Sequence, residues 1–125
     1  MTVLIDSWAW IEYWRGGPRA RDAAEYIDGE EEALVSSVNL AELYHWVLSK
    51  YDEKVADVKR ATVERRCRVV PLDGDLAVDA ARLRRAKRLA LADSCVLATG
   101  RRFAASVVTG DPDFRGKRGV VFLGA

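Results

Sequence analysis

The feature that most limits the fold of this chain is an alternation in which short apolar runs recur and each is followed by a stretch with helical character. "TVLI" at the start, "ALVSS" (33–37), "RVVPL" (68–72), "SVVT" (106–109) and "GVVFL" (119–123) read as five strands. Between the first two, "SWAWIEYWR" reads as a helix, and "PRARDAAEYIDG" as a second that opens on Pro18 and stops at Gly29. From Asn39 onward, Leu40, Leu43, Tyr44, Val47, Leu48 and Tyr51 fall at i, i+3, i+4, i+7, i+8 and i+11, which predicts a helix with one buried face. A further helix runs to about residue 66, and two more cover 75–89 and 93–103. Strands this short and this apolar need cover on both faces. The expected fold is therefore α/β, a three-layer α/β/α sandwich around a mainly parallel sheet of about five strands.

With 125 residues, half of them hydrophobic, the expectation is a single domain spanning 1–125, burying roughly two-thirds of its unfolded surface in one core. "MTVLI" has no basic leader and runs into Asp6, so it reads as a strand and not as a signal peptide. No apolar run approaches the roughly 20 residues that cross a bilayer. Cys67 and Cys95 lie far apart without a CxxC partner, and His45 is the only histidine, which argues against a disulfide scaffold and a zinc site. A soluble cytoplasmic protein is expected, without membrane association.

The net charge of +1 hides an asymmetry. Residues 1–58 carry 5 Lys or Arg against 12 Asp or Glu, a balance of −7, and residues 59–125 carry 15 against 7, a balance of +8. Basic residues gather in "KRATVERRCR" (59–68), "RLRRAKR" (82–88), Arg101 with Arg102, and "RGKR" (115–118). Such clusters commonly decorate solvated helix faces. Together they permit a polyanionic partner.

The acids carry more information. Asp6 directly follows the first strand and Asp111 follows the fourth after one glycine, so both stand at carboxyl ends of parallel strands, where open α/β sheets bind ligands. Glu42 is expected in the first turn of the helix after the second strand, and Asp93 opens the helix of "ADSCVLATG". Asp6, Asp93 and Asp111 could each serve as a helix N-cap, and Asn39 with Glu42 nearly forms a capping box, each cap contributing about 1 kcal/mol. Capping alone does not ask for carboxylates at all of these sheet-edge positions. The glutamate is explained least well as a cap.

"VLIDSWAWIE", "SSVNLAELYHWVLSKY", "LALADSCVLATG" and "VVTGDPDF" resemble, in order, the signature segments of PIN-domain proteins, and the small size is similar to that of VapC-type toxin ribonucleases of VapBC toxin–antitoxin pairs. The resemblance runs from the first strand nearly to the end. It implies a parallel sheet between helices whose acids bind Mg²⁺ or Mn²⁺ and cut RNA. Position by position, it places the four principal acids on Asp6, Glu42, Asp93 and Asp111, with Asp113 as an additional metal-associated acid of the "GDPDF" segment. It also implies a hydroxyl at Thr109, a small polar residue at Asn39, homodimer formation, and silencing by a VapB-type antitoxin whose tail lies across the acids.

The chemistry of the residues agrees. Two carboxylates about 4 Å apart repel by roughly 4 kcal/mol at an effective dielectric near 20, and a divalent cation resolves that conflict. Oxygen-only ligands suit a hard ion such as Mg²⁺ or Mn²⁺, which can acidify a water for attack on a phosphodiester and screen the phosphate charge. Asp6, Glu42 and Asp93 are expected at the metal, Asp111 completing the site or a second position, and Asp113 in an outer role. Ser7, Ser94 and Thr109 are candidates for orienting waters or phosphate oxygens, with ordinary helix-start hydrogen bonding as their alternative. His45 is left outside the catalytic set.

In "GDPDF", Gly110 is expected to permit a sharp turn, Pro112 to start a helical turn, and Phe114 to anchor it in the core. Trp10 and Trp14 share a helix face and predict core packing, while an exposed remainder of the four tryptophans would serve self-association or a partner helix. A haloacid-dehalogenase-like phosphatase would want Asp where this chain has Trp8, and a receiver domain would want paired early acids and a late lysine. A non-catalytic RNA-binding or scaffold protein on the same fold is the alternative that the residues leave open.

Overall fold

The computed structural model describes residues 1–124 and forms one sheet of β1 (Thr2–Ile5), β2 (Glu32–Ser36), β3 (Arg68–Val70), β4 (Ser106–Thr109) and β5 (Val120–Phe122). Every pairing is parallel, in the order β3-β2-β1-β4-β5, with Leu4 opposite Leu34 on one side and Val107 on the other. The order reverses between β1 and β4. In open α/β sheets the carboxyl ends of the strands at such a reversal leave a crevice for ligands.

Among the described residues, six helices cover the sheet: α1 (Ser7–Arg15), α2 (Ala20–Ile27), α3 (Ser37–Lys50), α4 (Glu53–Arg66), α5 (Gly74–Lys87) and α6 (Leu91–Arg102). Alternate strand residues face opposite ways, and the core divides accordingly. Leu4, Leu34, Val70 and Val107 pack against Leu76 and Ala80 of α5 and Val96 and Leu97 of α6. Val3, Ile5, Val35 and Val108 pack against Trp10 of α1, Ala23 and Ile27 of α2, Leu43 of α3 and Val63 of α4. These are the three layers and the parallel sheet expected from the alternation.

Several boundaries differ from the sequence reading. Helix α2 starts at Ala20 and not at Pro18, because the buried Glu12 carboxylate accepts the Arg19 backbone N–H at 2.7 Å and the Arg15 guanidinium at 2.7 Å, fixing the turn between α1 and α2. A Cβ on Gly17 would lie 2.2 Å from Glu12 Oε1, so glycine is required there by close approach. Helix α3 starts two residues before Asn39, with Ser36 as its N-cap accepting from the Val38 N–H at 3.1 Å. Asn39 and Glu42 therefore form no capping box, and Glu42 lies in the second turn. Helix α6 begins at Leu91, so Asp93 sits inside its first turn and is not the cap. Strands β3 and β5 are shorter than their apolar runs.

Trp10 is fully buried, its ring 5.5 Å from that of Trp14, as the helical spacing predicts. The other tryptophans are half-buried, Lys59 lying over Trp14 and Lys50 over Trp46. Cys67 and Cys95 are buried thiols on opposite faces of the sheet. Among the described residues, no helix is long and apolar enough to cross a membrane.

Candidate active site

Asp6 ends β1, where the strand hands over to α1, and only 4% of it is exposed. Its carboxylate does not cap α1. Instead it accepts from Asn39 Nδ2 at 2.9 Å and from Thr109 Oγ1 at 2.7 Å. Asn39, fully buried on α3, also donates to Ser7 Oγ at 3.1 Å and reaches Glu42 Oε1 at 3.5 Å, and the Ser7 hydroxyl donates to the same Glu42 oxygen at 2.7 Å. Asp6 and Glu42, one at a strand end and one on a helix, are thus joined through two neutral donors.

The second half of the site comes from α6 and from the segment after β4. Asp93, Asp111 and Asp113 each offer a carboxylate oxygen within 4.8 Å of the other two. Asp111 caps the 3-10 turn Pro112–Phe114, accepting the Asp113 N–H at 3.0 Å, so its role as a cap holds. Pro112 begins that turn and Phe114 is fully buried beneath it, as expected. The Asp111 backbone N–H donates to Thr109 Oγ1 at 3.1 Å, which ties this half to Asp6 through one hydroxyl.

Electrostatics bind the two halves into one unit. Burial, reinforced by the charge of Glu42 and opposed by the hydrogen bonds from Thr109 and Asn39, raises the Asp6 pKa from 3.8 to about 6. Burial, with the charges of Asp111, Asp6, Asp113 and Glu42, raises Asp93 from 3.8 to about 7. All four of the other acids therefore act on Asp93. The acids expected at the sheet edge lie in two groups, Asp6 and Glu42 joined through Asn39 and Ser7, and Asp93 with Asp111 and Asp113; Asp113, expected in an outer role, belongs to the close trio, and Asp6 and Glu42 do not.

The donor set fits a hard divalent ion: carboxylate oxygens, with no thiol or imidazole among the three that lie closest together. The spread of the trio, within 4.8 Å, is on the scale of one ion's shell of oxygens, whose bonds to magnesium are about 2.1 Å.

Two expectations fail here. Ser94 is fully buried and its hydroxyl donates to the Ala90 carbonyl at 2.9 Å, so it does not face the acids. Gly110 is not among the residues with a left-handed backbone, and a turn does not explain it. A Cβ there would lie 2.3 Å from the Trp8 six-membered ring, so the glycine lets the Trp8 indole lie flat against the backbone between Thr109 and Asp111. This role for Trp8 was not read from the sequence, although its position two residues after Asp6 is a signal that could have pointed to it. His45 is exposed on α3.

Carboxylates gathered at the carboxyl edge of a doubly wound parallel sheet, two of them bridged by neutral donors, define this as an α/β domain with an acidic site at its switch point. The PIN domain family matches residues 3–119, and the chain belongs to it. The fold is shared with several solved structures. A toxin–antitoxin complex from Klebsiella pneumoniae is 23% identical, with a TM-score of 0.80 and 97% of each chain covered. FitAcB from Neisseria gonorrhoeae is 24% identical, with a TM-score of 0.74 and coverage of 98% of this chain and 96% of that one. VapC20 from Mycobacterium tuberculosis, described as a sarcin–ricin loop cleaving toxin, is 20% identical, with a TM-score of 0.73 and coverage of 90% and 92%. No curated protein matches the chain.

Proposed function

We propose that this chain is a divalent-metal-dependent endoribonuclease of the VapC type, the toxin of a toxin–antitoxin pair. The observation that carries the reading is the meeting of Asp93, Asp111 and Asp113 within 4.8 Å, with Asp6 and Glu42 coupled to them at the same edge. PIN-domain membership and the likeness to solved toxins support it. Asp93, Asp111 and Asp113 would hold the ion, and Asp6 and Glu42 would complete its surroundings directly or through water. When bound, Mg²⁺ or Mn²⁺ lowers the pKa of a water and neutralises charge on the phosphate. The chain's own residues do the rest. Asn39 and Ser7 keep Asp6 and Glu42 oriented, and Thr109 fixes Asp6 against the Asp111 backbone.

In this reading the protein acts in the cytoplasm as a homodimer and is silenced by a VapB-type antitoxin whose tail covers the acids. The test is cleavage of structured RNAs with Mn²⁺ or Mg²⁺, with and without chelator, comparing the parent with Asp93→Asn. Metal-dependent cutting that Asp93→Asn abolishes is the expected result. RNA binding without any cutting would transfer the chain to the non-catalytic reading.

A further inference from the structure

The basic residues of the second half of the chain are not spread evenly around the acids. Residues 82–88 hold five cations and no acid, and they form the C-terminal half of α5 and the start of its loop to α6. That loop leads directly into the helical turn that carries Asp93. The segment 115–118 holds three more cations and follows the turn that carries Asp111 and Asp113. The two segments meet, since Lys117 Nζ reaches the Lys87 carbonyl at 3.5 Å. Further from the acids, Arg101 Nη2 reaches the Arg118 carbonyl at 3.5 Å.

Two clefts lie along this join. One, of about 570 Å³ between α5 and α6, is lined by Arg82, Lys87 and Arg101 with Asp79 as its one acid, and Asp79 is itself paired with Arg82 at 3.3 Å. The other, of about 330 Å³, is lined by Arg101 and Arg118 without an acid. Arg101 belongs to both, and its Nε is buried without a hydrogen-bond partner. The cations form a band that follows the α5–α6 face from Lys87, in the last turn of α5 before the helix that carries Asp93, to Arg101 and Arg118 at the amino edge of the sheet.

We propose that this band is the track for the backbone phosphates of the RNA strand on one side of the scissile bond, a proposal that rests on reading the acid cluster as a nuclease site. Carboxylates repel flanking phosphates, so a strand can lie across them only if its neighbouring phosphates leave over fixed positive charge. The band supplies that charge on the α5–α6 side. Phosphate neutralisation by Lys and Arg releases counterions, so the contribution of each contact is read directly in the salt dependence of binding.

The test uses Asp93→Asn protein and a fluorescent single-stranded oligoribonucleotide of mixed sequence, with binding followed by anisotropy over a range of salt. Replacing Lys87, Lys117 and Arg118 together by Gln is expected to weaken binding about tenfold and to reduce the slope of log K against log salt by about 2, near 0.7 per contact. Because Lys117 is half-buried, the pair Lys87→Gln/Arg118→Gln, both exposed, serves as a second variant with a proportionally smaller effect. The control replaces Arg21, Lys54 and Arg65, exposed residues of α2 and α4 on the opposite layer, and is expected to keep the parent slope.

A parent slope in both band variants, or an equal loss in the control, overturns the proposal. The nuclease reading fails separately, by absence of cutting in the unsubstituted protein. If that protein cuts RNA while the band variants keep its KM, the band alone is excluded.

Discussion

Thr109 Oγ1 donates to Asp6 Oδ2 at 2.7 Å across 103 residues of sequence, and the same oxygen accepts the Asp111 backbone N–H at 3.1 Å. One buried hydroxyl therefore sets the distance between the first acid and the last. Thr109→Val, which keeps the shape and removes the hydroxyl, leaves the buried Asp6 carboxylate short of a donor. The expected cost is about 1–3 kcal/mol at neutral pH, with Mn²⁺ affinity reduced about tenfold, and Thr109→Ser restores most of both. Chemical denaturation and Mn²⁺ titration check this; equal behaviour of the Val and Ser variants would show that the hydroxyl is not the agent.

Asp93→Asn removes a carboxylate on which four others press. Relief of like-charge repulsion is expected to stabilise the metal-free protein at pH 8 by about 1 kcal/mol, a rise of a few degrees in melting temperature. Mn²⁺ binding falls at the same time. A variant that loses metal affinity and also stability in chelator would contradict the electrostatic account.

The raised pKa values of Asp6, about 6, and Asp93, about 7, fix the sign of a pH effect. Both groups hold protons in the folded state that they release when the chain unfolds. Their contribution to stability is full below about pH 4 and is lost as pH rises through 6 and 7. In chelator, the melting temperature is expected to decline between about pH 5 and pH 8, and saturating Mn²⁺ to reduce or reverse that decline by replacing the protons. Metal-free protein that gains stability across this window would refute the assignment.

Gly110→Ala puts a methyl group where the Trp8 ring lies. Loss of stability and of Mn²⁺ affinity are both expected, because Asp111 is the next residue along the displaced backbone. Pairing it with Trp8→Leu opens the space and recovers at least half of each loss. A double variant no better than Gly110→Ala alone, measured by thermal melts and Mn²⁺ titration, would place the cost elsewhere.

How much could be read in advance differs between fold and site. The apolar runs around Leu4, Leu34, Val69 and Val107 and the spacing of Leu43 and Val47 are local patterns, and they suffice for the elements, their order and a parallel sheet. The placements of Asp6, Asp93 and Asp111 were legible because a strand end or a helix start stands beside each, whereas Glu42 lies a turn deeper in α3 than its local sequence suggested. Boundaries were misjudged where a distant side chain intervened, as when Glu12 delays α2 by holding the Arg19 N–H. Periodicity carries no record of such contacts.

The sequence by itself determined which elements form and that acids end up at the carboxyl edge of the sheet, because strand and helix periods are properties of neighbouring residues. Only the tertiary structure decided that Asp6 and Glu42 share Asn39 and Ser7, that Thr109 bridges Asp6 to Asp111, that Ser94 turns away, and that Trp8 rests on Gly110. The bridging hydrogen bonds join residues 32 to 103 positions apart, and their geometry exists only once the strand order reverses between β1 and β4.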